Sequence, residues 1–372
     1  MAVFLGKPRV VHPPGTGTVW GMKYAKVKYY PNGYPHLGLV PRSIKIRYRE
    51  GMGVRTLKKR LEKWERANGN PEFQARRLSR LPAPLAYELV QVYISMRERF
   101  PDIKPDYVNF SDDLGANELG GTYTYGDNLS VMRSLLCDGV IDDPGNYGVD
   151  EIVDIVKDYG GDKDEVYAIK NETLFCAEEK VVNPLAVGSI SVGAVYSKKR
   201  SYQKLINYWA AANKRSKAQG LPPRNPEVGV SGAAFTLIHE FGHLVESTLL
   251  VTKRKNAEKV YGVLSEILLG VKAPGTNQWR YHLVNYPSYP WTALKGRHVG
   301  GVDRQRETRR RLRPVIRETI GTYAAAHRDE IFAESFAHAY AGNSVSFRNK
   351  FKPFVETLKK LNLAAKTLPD NS

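Results

Sequence analysis

The stretch TLIHEFGHLVE, residues 236–246, decides how the chain is read. It lies within Ala233–Val251, where Ala, Phe, Leu, Ile and Val occupy nearly every side of a helical projection. A helix that is apolar all round is a buried helix. Yet this one carries His239, Glu240, His243 and Glu246. Ionisable groups in such a place are costly unless they are paired. Something must satisfy all four.

His239 and His243 stand four residues apart, so on a helix they share one face, about one turn from each other. Two imidazoles so placed can bind one metal ion, and Glu240 follows the first where it can reach a metal-activated water. This His-Glu-x-x-His spacing is that of zinc peptidases; a pair of hydrogen-bonded core histidines is the structural alternative. A catalytic zinc site takes three protein ligands and leaves a further position to water. A third histidine six residues beyond His243 would define one subclass, but that position is Leu249. Glu266 stands at a thermolysin-like distance. It falls off the apolar stripe of its helix (Val260, Val263, Leu264, Ile267) and is expected to face water.

The stronger third ligand is in DEIFAESFAHAY, residues 329–340. Glu330 and Glu334 are again four apart and share a face with His338, while Ile331, Phe332, Phe336 and Tyr340 occupy the other sides. A salt-bridged carboxylate pair, held by the arginines before it, is the alternative. Glu246 lies on the metal face one turn beyond His243. It is a candidate either to orient a ligand histidine from behind or to form a structural salt bridge.

These residues resemble a family. HEFGH at 239–243, Tyr323 seven residues before Glu330, and EIFAESF at 330–336 resemble the catalytic domain of anthrax lethal factor and its bacterial and phage relatives. The resemblance covers those two segments firmly, covers 186–230 loosely, and does not extend to 1–80. It implies a zincin-like fold of the thermolysin and lethal-factor type. It also implies a zinc ion (Zn2+) held by His239, His243 and Glu330, with Glu240 as catalytic base. Tyr323 would donate to the developing oxyanion, and Glu334 would stand behind a ligand. The activity implied is that of a gluzincin-type zinc endopeptidase, hydrolysing peptide bonds of a protein or peptide substrate with metal-activated water. Glu330 stands 87 positions after His243, further than the family's core requires.

The rest of the chain sets the frame. Its 372 residues, 42% hydrophobic and 25% charged, suit one large globular domain or two ordinary ones. The run PLAYELVQVYISMRERF (84–100) has helical spacing and ends before Pro101, and RTLKKRLEKWERANG (55–69) predicts a basic helix. An acidic helix and turn are expected over 151–165, and further helices over 200–220 and 256–270, with RDEIFAESFAHAYAGN as the last clear element. Strands are expected at DYVNFSD (106–112), GGTYTYGDNLSV (120–131), EVYAIKN (165–171), ETLFCAEEKVV (172–182) and VGSISVGAVYS (187–197). This order gives an α+β fold. A zincin places an edge strand beside its cleft, where a peptide adds as an extra strand. VGSISVGAVYS is the expected edge.

Charge divides the chain. Residues 1–80 hold 18 Lys/Arg against 4 acids, while 101–180 hold 19 acids against 6 bases. The reading is therefore a basic N-terminal region, 1–82, ahead of a metallopeptidase domain, 83–372. In the former, Lys26, Lys28, Arg47 and Arg49 alternate with Tyr29, Tyr30 and Tyr48. Such a mix suits nucleic acid or an acidic partner, and equally a solvated basic face. Arg304–Arg317 is a second patch of the same kind. The acidic block is expected to favour basic peptides. Cys137 and Cys176 are expected to be reduced thiols. No transmembrane segment is expected. The opening MAVFLGKPRVVHPPGTG lacks the features of a signal peptide, which implies a cytoplasmic, virion-associated or non-classically exported protein. The competing function is a catalytically silent zincin scaffold, structural or nucleic-acid-binding, as in a phage virion.

Overall fold

The computed structural model describes, with brief interruptions, residues 53–123, 147–163, 188–197, 232–270, 299–341 and 345–361, plus scattered positions and short strand pairs. It is a mixed α/β arrangement of one small four-stranded sheet and many helices.

The sheet is built from β1 (Gln74–Arg76), β2 (Tyr107–Asp112), β3 (Gly120–Tyr123) and β4 (Ser189–Gly193), in the spatial order β1-β2-β4-β3. β1 and β4 run parallel to β2, and β3 runs antiparallel to β4. This corrects the expected edge. The segment 187–197 supplies a central strand, flanked on both sides, and the edge strands among the described residues are β1 and β3. Ser189, Ile190 and Val192 are all buried, so neighbouring positions on both faces of β4 are covered.

The described helices are α1 (Val54–Ala67), α2 (Ala83–Arg99), α3 (Val149–Asp158), α4 (Gly232–Thr252), α5 (Arg254–Leu269), α6 (Val299–Thr319), α7 (Arg328–Ala341) and α8 (Val345–Lys360). None is long and apolar enough to cross a membrane. α2 is central: Leu85, Leu89, Val92 and Met96 are buried, and so are Val90, Tyr93 and Ile94 on its other sides. Just past its end, the Phe100 ring packs on Phe241 of α4 and on Phe336 and Tyr340 of α7, with centroids 5.9, 5.3 and 5.5 Å away. These contacts join the helix expected to bear the histidines to the one expected to bear the carboxylates.

Described residues on both sides of position 82 share one hydrophobic cluster. Leu57 and Leu61 of α1, and Phe73 beside β1, belong to the same hydrophobic cluster as Phe241 and Phe336. A buried ion pair adds to the join. Arg97 Nε donates to Glu65 Oε1 at 2.9 Å, with the two side chains 1% and 0% exposed. The same guanidinium donates to the carbonyls of Ile103 at 2.7 Å and Pro101 at 3.0 Å, which closes the turn after α2. The basic character of α1 is confined to its outer face, where Arg55, Lys59, Lys63 and Arg66 are exposed.

Between β3 and β4 in the chain lies a smaller cluster formed by Leu135, Ile141, Ile152, Val153, Val156 and Ile169. Val166 and Ile169, within the predicted strand 165–171, are helical instead. Phe175–Cys176 and Val181–Val182 pair antiparallel. α8 was not among the expected elements. Most of the predicted helix 200–220 lies outside the described residues, as does Cys137.

Candidate metal centre

The centre depends on how closely two helices approach. A Cβ added at Gly242 of α4 would stand 3.1 Å from Phe336 Cβ and 3.2 Å from Ala333 Cα of α7. The glycine of HEFGH thus lets α7 lie against α4. Glu330, in the first turn of α7, then comes to face the two histidines one turn apart on α4.

Three donor atoms converge there. His239 Nε2 lies 3.2 Å from His243 Nε2 and 3.1 Å from Glu330 Oε2, and His243 Nε2 lies 3.7 Å from the same oxygen. His239 is buried and the other two are half-buried. Glu330 Oε2 is itself shielded from solvent and accepts no well-directed hydrogen bond among the described residues. Ligand bonds of about 2.0–2.1 Å in a tetrahedral site separate neighbouring ligand atoms by about 3.3–3.4 Å. The observed spacings bracket that value. The triad has the donor types and spacing to hold a metal ion.

The electrostatics follow from this convergence. Burial alone would raise the Glu330 carboxyl, but the adjacent imidazoles of His239 and His243 hold it far below the ordinary carboxylate range. Burial alone would lower His239, yet Glu330 and Glu334 outweigh it and lift the imidazole well above its usual value. His243 is raised in the same way, against its burial, chiefly by Glu330.

Glu240 points from α4 toward the sheet. Its Oε2 lies 2.7 Å from Thr122 Oγ1 on β3, a hydroxyl also 2.9 Å from the Glu240 carbonyl oxygen. A Cβ at Gly120, two residues earlier on the same strand, would stand 2.5 Å from Glu240 Oε1 and 2.5 Å from Thr236 Cγ2. Only glycine allows β3 to lie this close to α4. Burial raises the Glu240 carboxyl, and the two neighbouring imidazoles offset part of that rise.

Tyr323 comes from the turn between α6 and α7. Its hydroxyl donates to Glu330 Oε1 at 3.0 Å, and its ring lies 5.7 Å from that of His239. The turn is anchored by buried Ala324 and Ala325 and by Tyr286, whose hydroxyl donates to the Ala325 carbonyl at 2.8 Å. The residue is 53% exposed. Burial around the hydroxyl, reinforced by Glu330, raises its pKa, so the phenol stays protonated and able to donate.

Behind the triad, Glu334 Oε1 lies 3.4 Å from His239 Nδ1, close for an ion pair and long for a hydrogen bond. Its other oxygen lies 3.6 Å from His338 Nε2. His338 is therefore behind Glu334, buried against Phe235 and Phe351, and is not in the triad. Glu246 is fully buried and accepts a 2.5 Å hydrogen bond from Tyr261 of α5. Glu266 is exposed, as its place off the apolar stripe implies.

Sequence reading thus found the residues that converge, His239, His243 and Glu330, and those beside them, Glu240, Tyr323 and Glu334. It missed Thr122 and Gly120. Thr122 lies 118 positions from Glu240, and no local pattern links the two. Comparison with protein-family models, curated proteins and solved structures finds no match for this chain.

Proposed function

We propose that the protein is a zinc-dependent endopeptidase of the gluzincin type, a lethal factor-like member of the zincins acting on a protein or peptide substrate. The observation that carries this reading is the convergence of His239 Nε2, His243 Nε2 and Glu330 Oε2 within 4.8 Å, with Glu240 next to the first of them in sequence. These three residues would hold the metal. When bound, zinc supplies Lewis acidity, which polarises a carbonyl and acidifies water.

The chain's own groups do the rest. Glu240 accepts the proton of the attacking water and returns it to the leaving amine; its raised pKa brings it nearer neutrality, where a general acid–base group works best. Tyr323 keeps its proton and donates a hydrogen bond to the oxygen on which charge develops, exchanging its present bond to Glu330. Glu334 steadies His239 from behind and favours the tautomer that leaves Nε2 free to ligate. β3 pairs with β4 on one side only among the described residues, so its other side can receive a peptide as an added strand.

The test is direct. The zinc-loaded full chain is incubated with a mixed synthetic peptide library, and new termini are mapped by mass spectrometry. Cleavage is expected in the parent and lost in Glu240→Gln, with zinc content equal in both. Cleavage that persists in Glu240→Gln would remove Glu240 from its role. A zinc-loaded parent that cuts nothing would remove the peptidase reading.

A further inference from the structure

We infer that Thr122 is a positioning residue for the reaction: it fixes the carboxylate of Glu240 from the edge strand, so that the strand open to a peptide also aims the base. The inference rests on the peptidase reading above and goes beyond it by adding a residue outside both TLIHEFGHLVE and DEIFAESFAHAY.

Three observations carry it. First, the Thr122 hydroxyl lies 2.7 Å from Glu240 Oε2, and its partner is a carboxylate taken out of water, where a donor matters most. Second, the same oxygen lies 2.9 Å from the backbone carbonyl of Glu240. One hydroxyl therefore spans the side chain and main chain of a single residue, which restricts the rotamer of that side chain. Third, residues 120 and 122 point to the same face of β3, because side chains alternate along a strand. Gly120 brings its backbone so close that an added Cβ would stand 2.5 Å from Glu240 Oε1. Thr122 thus sets one carboxylate oxygen, and the surface at Gly120 limits the other.

A base of this kind must hold its geometry within about 0.5 Å and 10–20° to be effective. A long glutamate side chain on a helix does not achieve that alone. The β3 contact supplies the constraint, and it comes from the strand whose outer edge would pair with substrate.

The experiment compares Thr122→Val, which keeps the shape and removes the hydroxyl, with Thr122→Ser, which keeps the hydroxyl. Both are made in the full zinc-loaded chain. Kinetics are read on a peptide that the parent cleaves from the mixed library, alongside zinc per chain and the urea unfolding midpoint. Thr122→Val is expected to lose about 10–100-fold in kcat, the range seen when an outer hydrogen bond to a metal site is removed. KM, zinc content and unfolding midpoint should stay near the parent's, and Thr122→Ser should keep kcat. If Thr122→Val does not fold, Thr122→Ala is read by the same criteria. Parent-like kcat in the hydroxyl-free variant would overturn the inference, and so would an equal loss in Thr122→Ser. A parent that holds zinc and cleaves nothing fails at the earlier step: it removes the peptidase reading and this inference with it.

Discussion

Gly242 of α4 lies directly against Ala333 of α7, so close that a Cβ at Gly242 would stand 3.2 Å from the Ala333 Cα. The neighbour is backbone, which cannot rotate away. The position of Glu330 relative to His239 and His243 depends on this seam, because the carboxylate and the imidazoles belong to the two helices that meet there.

Gly242→Ala should therefore weaken metal binding more than it weakens the fold. Alanine gains about 1 kcal/mol of helix propensity over glycine. Overpacking costs about 1–3 kcal/mol. The net loss of stability is then at most about 2 kcal/mol, while Glu330 is displaced from the imidazoles. Competition against a zinc chelator, with urea unfolding in parallel, reads the two effects separately. Parent-like metal affinity would show that the seam does not set the triad.

Gly120 and Gly121 should respond differently to the same change. At Gly120 a methyl group would stand 2.5 Å from Glu240 Oε1 and from Thr236 Cγ2, whereas at Gly121 it would meet nothing within 4 Å. Gly120→Ala should cost about 1–3 kcal/mol as β3 and α4 are forced apart. Gly121→Ala should be neutral, or stabilising by about 0.4–1 kcal/mol through the unfolded chain. Denaturant unfolding of the pair checks this, and equal effects would contradict it.

The buried Arg97–Glu65 pair should be among the costliest single sites outside the metal centre. Arg97→Met leaves Glu65 buried without its guanidinium and leaves the Ile103 and Pro101 carbonyls without their donor. Removing one partner of a buried pair costs about 3–5 kcal/mol. A loss below about 1 kcal/mol in urea unfolding would mean that water replaces the lost contacts.

Metal and protons should compete in a stated direction. His239 is raised above its ordinary 6.5, so its contribution to the metal-free fold is complete below that value and fades as pH rises through its folded pKa. Glu330 is depressed below its ordinary 4.5, so its contribution is complete above that value and fades as pH falls through its folded pKa. The metal-free pair is therefore most stabilising between 4.5 and 6.5. A metal must displace the imidazole proton, so its affinity moves the other way and rises with pH. Zinc at about 100 times its Kd should add about 2.7 kcal/mol. At fixed zinc, the gain in Tm should be larger near about pH 8 than near about pH 5.5, a window that spans the histidine range. Thermal unfolding with and without zinc at both values tests it; an equal or larger gain at the lower pH would contradict it.

The parts of this site that were legible in sequence are those whose geometry is local. A spacing of four residues on a helix fixes a shared face, so His239 with His243, and Glu330 with Glu334, could be paired before any fold was known. The apolar residues around them marked both helices as buried. What was not legible depends on tertiary contact. β1 has three residues, too few for a pattern, and it sits inside a stretch that reads as a basic arm. β4 is central because it pairs with β2 on one side and β3 on the other, and β3 meets Glu240 because Gly120 lets it approach. α8 did carry a signal: Phe351, Phe354, Val355 and Leu358 have helical spacing and are all buried. Pro353 inside it reads as a breaker and hides the pattern.

The central claim is that His239, His243 and Glu330 hold one zinc ion, and metal content is the measurement that meets it most directly. Untagged protein is loaded with zinc, freed of excess, and assayed for metal per chain beside His243→Ala and Glu330→Ala. The expected result is about one zinc in the parent, as a three-ligand site implies, and none retained by either variant. A folded parent that retains no zinc, or variants that keep as much as the parent, would contradict the account and leave the four ionisable residues of TLIHEFGHLVE as a polar network in the core.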